Sequence, residues 1–273
     1  MSVMREKEKT APKRGDDGKA RTRLLPYLPV DRILEIFAAA PGNEISSRKF
    51  ESLESSAALA ANAFGLFIDG KVPLPALPGL ETFSWPPTCV RLEAQLRLPW
   101  RGGRHPCFDA VIRTADALIG IESKRYEPYR PKTKTAMSAT YDRDVWGNEM
   151  AGYISVRDTY RSDPAHFCRL DTGQLVKHAL ALLAQSHRTK DKGRQPVLMY
   201  LYAEPSEWPN GRKVSIAARE KHRQEIAEFR ESVRTDAVRF VPCTYQTLLS
   251  GWKGKSSKLG SHAEGVLNWA KFL

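Results

Sequence analysis

Residues 105–126, HPCFDAVIRTADALIGIESKRY, place two carboxylates and a primary amine on a chain that alternates every second residue. Phe108, Ala110 and Ile112 alternate with Asp109, Val111 and Arg113, which is the period of a strand. Thr114-Ala115-Asp116 is a short connection, and 118–126 reads as a second strand. On that strand Ile119 and Ile121 face one way, and Glu122 and Lys124 face the other. The hairpin therefore predicts Asp109 next to a Glu-x-Lys. Two carboxylates and an amine suffice to hold a hard divalent cation and to steer a water molecule beside it.

Asp109 and Glu122 are the candidate metal ligands, with the backbone carbonyl of Ser123 as a third contact. Mg²⁺ suits such oxygen donors and keeps several waters; Mn²⁺ is a substitute. The plain alternative is an ion pair across a hairpin, with Arg113 or Lys124 as the cation. Lys124 has two roles open to it. Its ammonium can orient hydroxide and offset anionic charge, or a neutral amine can act as a base where a nearby cation lowers its pKa. Glu93, on the polar side of the apolar alternation at 90–98, is a candidate third carboxylate or supporting contact.

Asp109, then twelve residues, then Glu122-Ser123-Lys124 resembles the core motif of the PD-(D/E)XK nuclease superfamily, the restriction-endonuclease-like fold. Pro106 lies three residues before the aspartate rather than directly before it. The flanking pattern agrees in order: SSAALAANAF (55–64), VRLEAQLRL (90–98), QLVKHALALLAQ (174–185), VLMYLYAEP (197–205) and VRFVPCTYQTLL (238–249). The likeness covers roughly residues 45–250 and is to a bacterial branch of restriction-endonuclease-like proteins. It implies an α/β chain with a central mixed sheet flanked by helices. It also implies a Mg²⁺-dependent endonuclease that hydrolyses DNA phosphodiester bonds, with Asp109, Glu122 and Lys124 catalytic. In that superfamily an early glutamate often comes from the first helix, where Glu51 and Glu54 stand as rivals to Glu93. A polar residue opening the helix after the hairpin is also typical there, which points to Gln174 and Lys177. His178 shares a helical face with Gln174, and its plain reading is a packed residue. Asn62, amid alanines and aromatics, is expected to satisfy a buried partner near the site.

The chain has 273 residues, a net charge of +12 and a pI near 9.6. A field of that sign gathers phosphates, so DNA is the expected partner. Arg125, Arg130, Lys132, Lys134, Lys177, Arg188 and Lys190 are the candidate phosphate contacts, in basic stretches that continue at 252–258. Tyr126, Tyr129, Tyr141 and Trp146 could stack on bases, against a plain reading as packing. The rival function is a nuclease-like fold kept only for binding nucleic acid. RNA as substrate ranks lower, because no RNA-reading motif is present. A homodimer is compatible with the chain.

Cys89, Cys107, Cys168 and Cys243 form no C-x-x-C pair, which argues against a zinc ribbon and for a reducing, cytoplasmic setting. No apolar run is long enough to span a membrane. Residues 1–23 read as a disordered basic tail and 24–273 as one domain. Helices are expected over 32–40, from Ser46 or Ser47 to Phe64, over 174–185 and 216–233, and from Ser261 with Glu264 as a capping box. Residues 69–88 read as an irregular loop, and 127–165 as an insertion on the substrate side without a strand. GWKGKSS (251–257) lacks the spacing of a phosphate loop.

Overall fold

A computed structural model of the chain describes residues 18–131 and 137–271. Of the tail expected over 1–23, residues 1–17 lie outside the described residues. Gly18–Thr22 is a short helix, α1, with Ala20 buried in the core. It is followed by α2 (Val30–Ala39) and α3 (Ser56–Phe64). Next come β1 (Cys89–Gln95), β2 (Cys107–Arg113), β3 (Ala117–Lys124), α4 (Ala151–Ser162) and α5 (Thr172–Ser186). The chain then forms β4 (Gln195–Tyr202), α6 (Ile216–Ser232), β5 (Arg239–Thr244), α7 (Tyr245–Lys253) and α8 (Ser257–Ala270).

The five strands lie in the order β1-β2-β3-β4-β5. β1, β2 and β3 pair antiparallel, whereas β3, β4 and β5 pair parallel. The sheet is therefore mixed, as expected, and the parallel half needs the crossover helices α5 and α6. Strand parity sorts the core into two layers. Ile112, Ile119, Ile121, Val197, Met199 and Leu201 face α2, α3, α7 and α8. Val111, Leu118, Leu198, Tyr200 and Phe240 face α4, α5 and α6. β3 is central and buried from Ala117 to Ser123, which is why its one charged pair, Glu122 and Lys124, needs partners from other elements.

Four expectations are corrected. The helix expected from Ser46 or Ser47 to Phe64 is broken: a 3₁₀ turn at Lys49–Glu51 precedes α3, whose N-cap Ser55 accepts the Ala58 N–H at 3.0 Å. The insertion at 127–165 contains α4, which buries Tyr153, Val156 and Tyr160. β5 ends at Thr244, which caps α7, a helix not expected from the sequence, so two helices rather than one follow the last strand. α8 begins at Ser257 with Ser256 as its cap, not at Ser261.

Candidate active site

The site forms where the sheet opens. The β2–β3 ladder ends at the pair Ala110↔Ile121. One step further, the Asp109 carboxylate takes over as acceptor, and the Ser123 N–H donates to its Oδ2 at 2.7 Å. The side chain thus satisfies a buried donor that has lost its ladder partner. Ser123 Oγ is itself held by Tyr245 Oη at 2.6 Å and donates to the Ser56 carbonyl at 3.2 Å, which ties β3 to α7 and α3.

Glu122 lies on the opposite face, 2% exposed. Its Oε1 pairs with Lys124 Nζ, and its Oε2 lies 3.1 Å from His178 Nδ1. Lys124 Nζ also donates to Gln174 Oε1 at 2.9 Å. Gln174 and His178 sit one helical turn apart on α5. The start of that helix is fixed by Asp171, whose side chain accepts the Gln174 N–H at 3.1 Å. The His178 ring stacks on Phe108 with centroids 4.3 Å apart. Phe108 in turn packs against Gly120, where a Cβ would come within 2.5 Å of its ring. A side chain at 120 would displace Phe108, then His178, then Glu122.

Glu93 faces the same cavity, which encloses about 510 Å³ and is also lined by Glu44, Asp109, Glu122, Lys124 and Gln174. Its φ is +44°, in the left-handed region that costs a non-glycine residue about 1–2 kcal/mol. The reversal changes the face of β1: Val90 and Leu92 pack in the first layer, but Leu96 and Leu98 pack in the second. β2 switches opposite it, since Phe108 joins the second layer while Ala110 and Ile112 stay in the first. The even alternation expected along both strands is therefore broken at Glu93 and Asp109. Cys107 Sγ lies 3.5 Å from Glu93 Oε2 and donates to it.

Burial pushes the Asp109 carboxyl well above the usual carboxylate range, helped by the nearby charges of Glu122 and Glu93. Burial, with Glu44 and Glu122, likewise pushes Glu93 up to about 7. Burial alone would raise Glu122 too, but Lys124 and His178 outweigh it and hold it at about 2. For Lys124, burial disfavours the ammonium; Glu122, Glu127 and Asp109 more than reverse this, so it stays charged. The protein is basic overall, yet this cavity gathers more carboxylates than cations.

Other candidates fall elsewhere. Glu54 borders the cavity and pairs with Arg130, and Glu51 belongs to the preceding 3₁₀ turn. Arg125 is not a surface contact. It is 2% exposed, its Nη2 donates to the Ala270 carbonyl at 2.6 Å, and its guanidinium lies 4.9 Å over the Trp269 ring. Lys132 and Lys134 lie outside the described residues. Lys177 lies 5.7 Å over the Tyr141 ring, on the neighbouring flank of α5. Arg188 and Lys190 follow the C-terminus of α5, about 20 Å from Gln174 at 1.5 Å per helical residue. Arg188 there donates to the Arg97 carbonyl at 2.8 Å. Tyr126, Tyr129, Tyr141 and Trp146 are all buried, so none offers a ring to a base. Asn62 is satisfied away from the site: it accepts from Leu25 N and donates to the carbonyls of Arg23 and Ala58, each at 2.8 Å.

Among the described residues no three His, Cys, Asp or Glu side chains are gathered in a ready-made metal cage. Asp109, Glu122 and Glu93 nonetheless fit a hard divalent cation. They are oxygen donors in one cavity, two of them destabilised as anions by burial and by each other, and a cation would relieve both penalties. A family model described as "Restriction Endonuclease associating with ARP" matches residues 29–271, nearly the whole chain. No curated protein and no solved structure matches the chain significantly.

Proposed function

The chain belongs to this family of restriction endonucleases associating with ARP, and from that we propose a Mg²⁺-dependent nuclease that hydrolyses phosphodiester bonds of DNA. The observation that carries the reading is the meeting of Asp109, Glu122, Lys124 and Gln174 in one cavity, at the open end of a central strand pair. A PD-(D/E)XK assignment of these residues rests on the same meeting. The association named in the family description is extended to this chain as part of the proposal.

Asp109 and Glu122 would hold the metal, with Glu93 and the Ser123 carbonyl as further donors. The bound cation supplies Lewis-acid stabilisation of the charge that develops on the phosphate. The chain's own groups do the rest. Lys124 remains an ammonium, which favours the orienting and charge-offsetting role over that of a neutral base. Gln174 fixes the direction of its Nζ, and His178 fixes Glu122. The low accessibility of Glu122 keeps bulk water off its carboxylate and strengthens each of these contacts.

The test is cleavage of labelled single-strand, duplex and branched DNA with Mg²⁺, Mn²⁺ or EDTA. Metal-dependent cutting of any of these, lost in Asp109→Asn, supports the proposal. A protein that binds DNA but cuts none with either metal is the non-catalytic binding module instead.

A further inference from the structure

A second structured feature stands beside this cavity. Residues 204–214 form a small hairpin, bridged at Glu207↔Lys213. The Gly211 N–H donates to the Trp208 carbonyl at 2.9 Å, and the Trp208 N–H to the Arg212 carbonyl at 2.7 Å. Pro209 presets the turn, and Gly211 takes φ +82°, a value that glycine adopts without strain. The hairpin is docked, not loose. Trp208 is buried and stacks on Tyr126 with centroids 5.1 Å apart, and Tyr126 Oη donates to the Glu207 carbonyl at 3.0 Å. Tyr126 lies two residues beyond Lys124 and lines the cavity.

Two guanidinium groups use the Trp208 ring as a shared platform. Arg130 lies 5.4 Å and Arg212 lies 5.2 Å from its centroid. Arg130 also lines the cavity, where it pairs with Glu54. Arg212 is exposed and has no ion-pair partner among the described residues. An arginine resting on an aromatic face is held in place while its N–H edge stays open, the geometry suited to a bidentate grip on phosphate.

We infer that Arg212, set on Trp208 with its N–H edge open, grips a backbone phosphate of the DNA strand that enters the cavity, and that Arg130, on the same ring, exchanges its Glu54 partner for a second phosphate. This rests on the nuclease reading and adds to it the side from which the strand arrives. Because phosphates carry no sequence information, the grip acts equally on unrelated sequences.

The experiment is fluorescence anisotropy of two unrelated duplexes, with EDTA present to prevent cutting, across a salt series. The proteins are wild type, Arg212→Ala, Arg130→Ala/Arg212→Ala and, as a charge-matched control, Arg230→Ala. Arg230 borders a groove with Gln195 and Arg239, at the end of the sheet opposite Lys124. Arg212→Ala should weaken both duplexes several-fold and lower the salt slope by about one; the double variant should lower it by about two. Arg230→Ala should leave both unchanged. The inference is overturned if Arg212→Ala matches Arg230→Ala while wild type binds. It is also overturned if the loss is confined to one duplex, which would mean base contact. Wild type that binds neither duplex overturns this inference, and cleavage of single-strand or branched DNA then decides the nuclease reading on its own.

Discussion

Glu93 and Asp109 stand opposite each other at the one gap in the β1–β2 ladder, between the pairs Leu92↔Ala110 and Ala94↔Phe108. The register is the same on both sides of the gap, so no residue is inserted. Instead the backbone of Glu93 turns to φ +44°. Two carboxylates that would have faced each other across a regular pair are thus freed for the cavity, at a cost in backbone strain and charge repulsion.

That cost should be measurable. Glu93→Gly removes both the left-handed strain and the repulsion, while Glu93→Gln removes only the repulsion. In metal-free buffer, both should melt above wild type. The glycine variant should be the more stable, by on the order of 1 kcal/mol less the entropy that glycine loses on folding. Melting curves decide it: Glu93→Gly less stable than Glu93→Gln by the full entropy cost of glycine, about 0.5–1 kcal/mol, would mean that the turned backbone stores no strain.

Asp109→Asn separates the carboxylate's two roles. Asparagine can still accept the Ser123 N–H, and it relieves the crowding that holds Asp109 above its normal range. The metal-free variant should be at least as stable as wild type. Mn²⁺ should raise the melting temperature of wild type by mass action and raise that of the variant much less. Equal metal-induced shifts would remove Asp109 from the ligand set.

His178 should act through Glu122 without touching DNA. His178→Phe keeps a ring against Phe108 but deletes the nitrogen that lies 3.1 Å from Glu122 Oε2. Residues that orient a metal ligand typically contribute 10–100-fold. Single-turnover cleavage should therefore fall by about that factor, and the Mn²⁺ concentration for half-maximal rate should rise. DNA affinity in EDTA should stay as in wild type. An unchanged metal requirement would reduce His178 to packing.

The sheet and the Glu122–Lys124 pair were legible in the sequence because parity holds along β3, where residues two apart share a face; the switch of face at Glu93 and Asp109 was not, because it depends on the turned backbone of Glu93. The same parity argues against Arg125 as a surface contact. It sits one step past Lys124, on the side of Ile119 and Ile121, under the end of α8. Charge alone suggested DNA contact, but burial decided otherwise. α4 was missed because its N-cap, Met150, makes no side-chain capping bond and its buried stripe is only Tyr153, Val156 and Tyr160. His178 was visible one turn from Gln174, but its meeting with Glu122 depends on Phe108 and Gly120 across the sheet, a contact no local pattern encodes. The Pro209-Asn210-Gly211 turn was a local signal of the hairpin, while its docking through Tyr126 is tertiary.

The fold should carry an acid-sensitive group away from the site. His222 is fully buried, and its Nε2 meets Tyr200 Oη at 2.9 Å. Burial lowers its pKa to about 4, against the opposing pull of Glu225 and Glu204. Between the unfolded value, near 6.5, and about 4, the unfolded chain takes up a proton that the folded one refuses. The stability this neutral histidine gives is complete above about pH 6.5 and is lost as pH falls toward 4. The loss is on the order of 3 kcal/mol. His222→Phe should be less stable at neutral pH, because Tyr200 loses its partner, and should lose less stability on acidification. Denaturant midpoints for both proteins at pH 7 and pH 4.5 test this; parallel losses would exclude His222 as the cause.

Lys124 separates chemistry from affinity. Its ammonium is spent inside the site on Glu122 and Gln174, whereas the proposed DNA binding would draw on cations spread over the surface. Removing one phosphate contact lowers the salt slope by only about one unit. Removing a charge that stabilises the transition state typically costs ~10²–10³ in rate. Lys124→Ala should therefore keep DNA affinity within several-fold of wild type while single-turnover cleavage nearly disappears. Lys124→Arg should not rescue it, because a planar guanidinium cannot occupy the ammonium's position between Glu122 Oε1 and Gln174 Oε1. Both variants leave Glu122 with His178 as its remaining partner, so circular dichroism and melting curves must accompany the rates. A well-folded Lys124→Ala protein that cuts at the wild-type rate would show that the chemistry is done elsewhere on the chain.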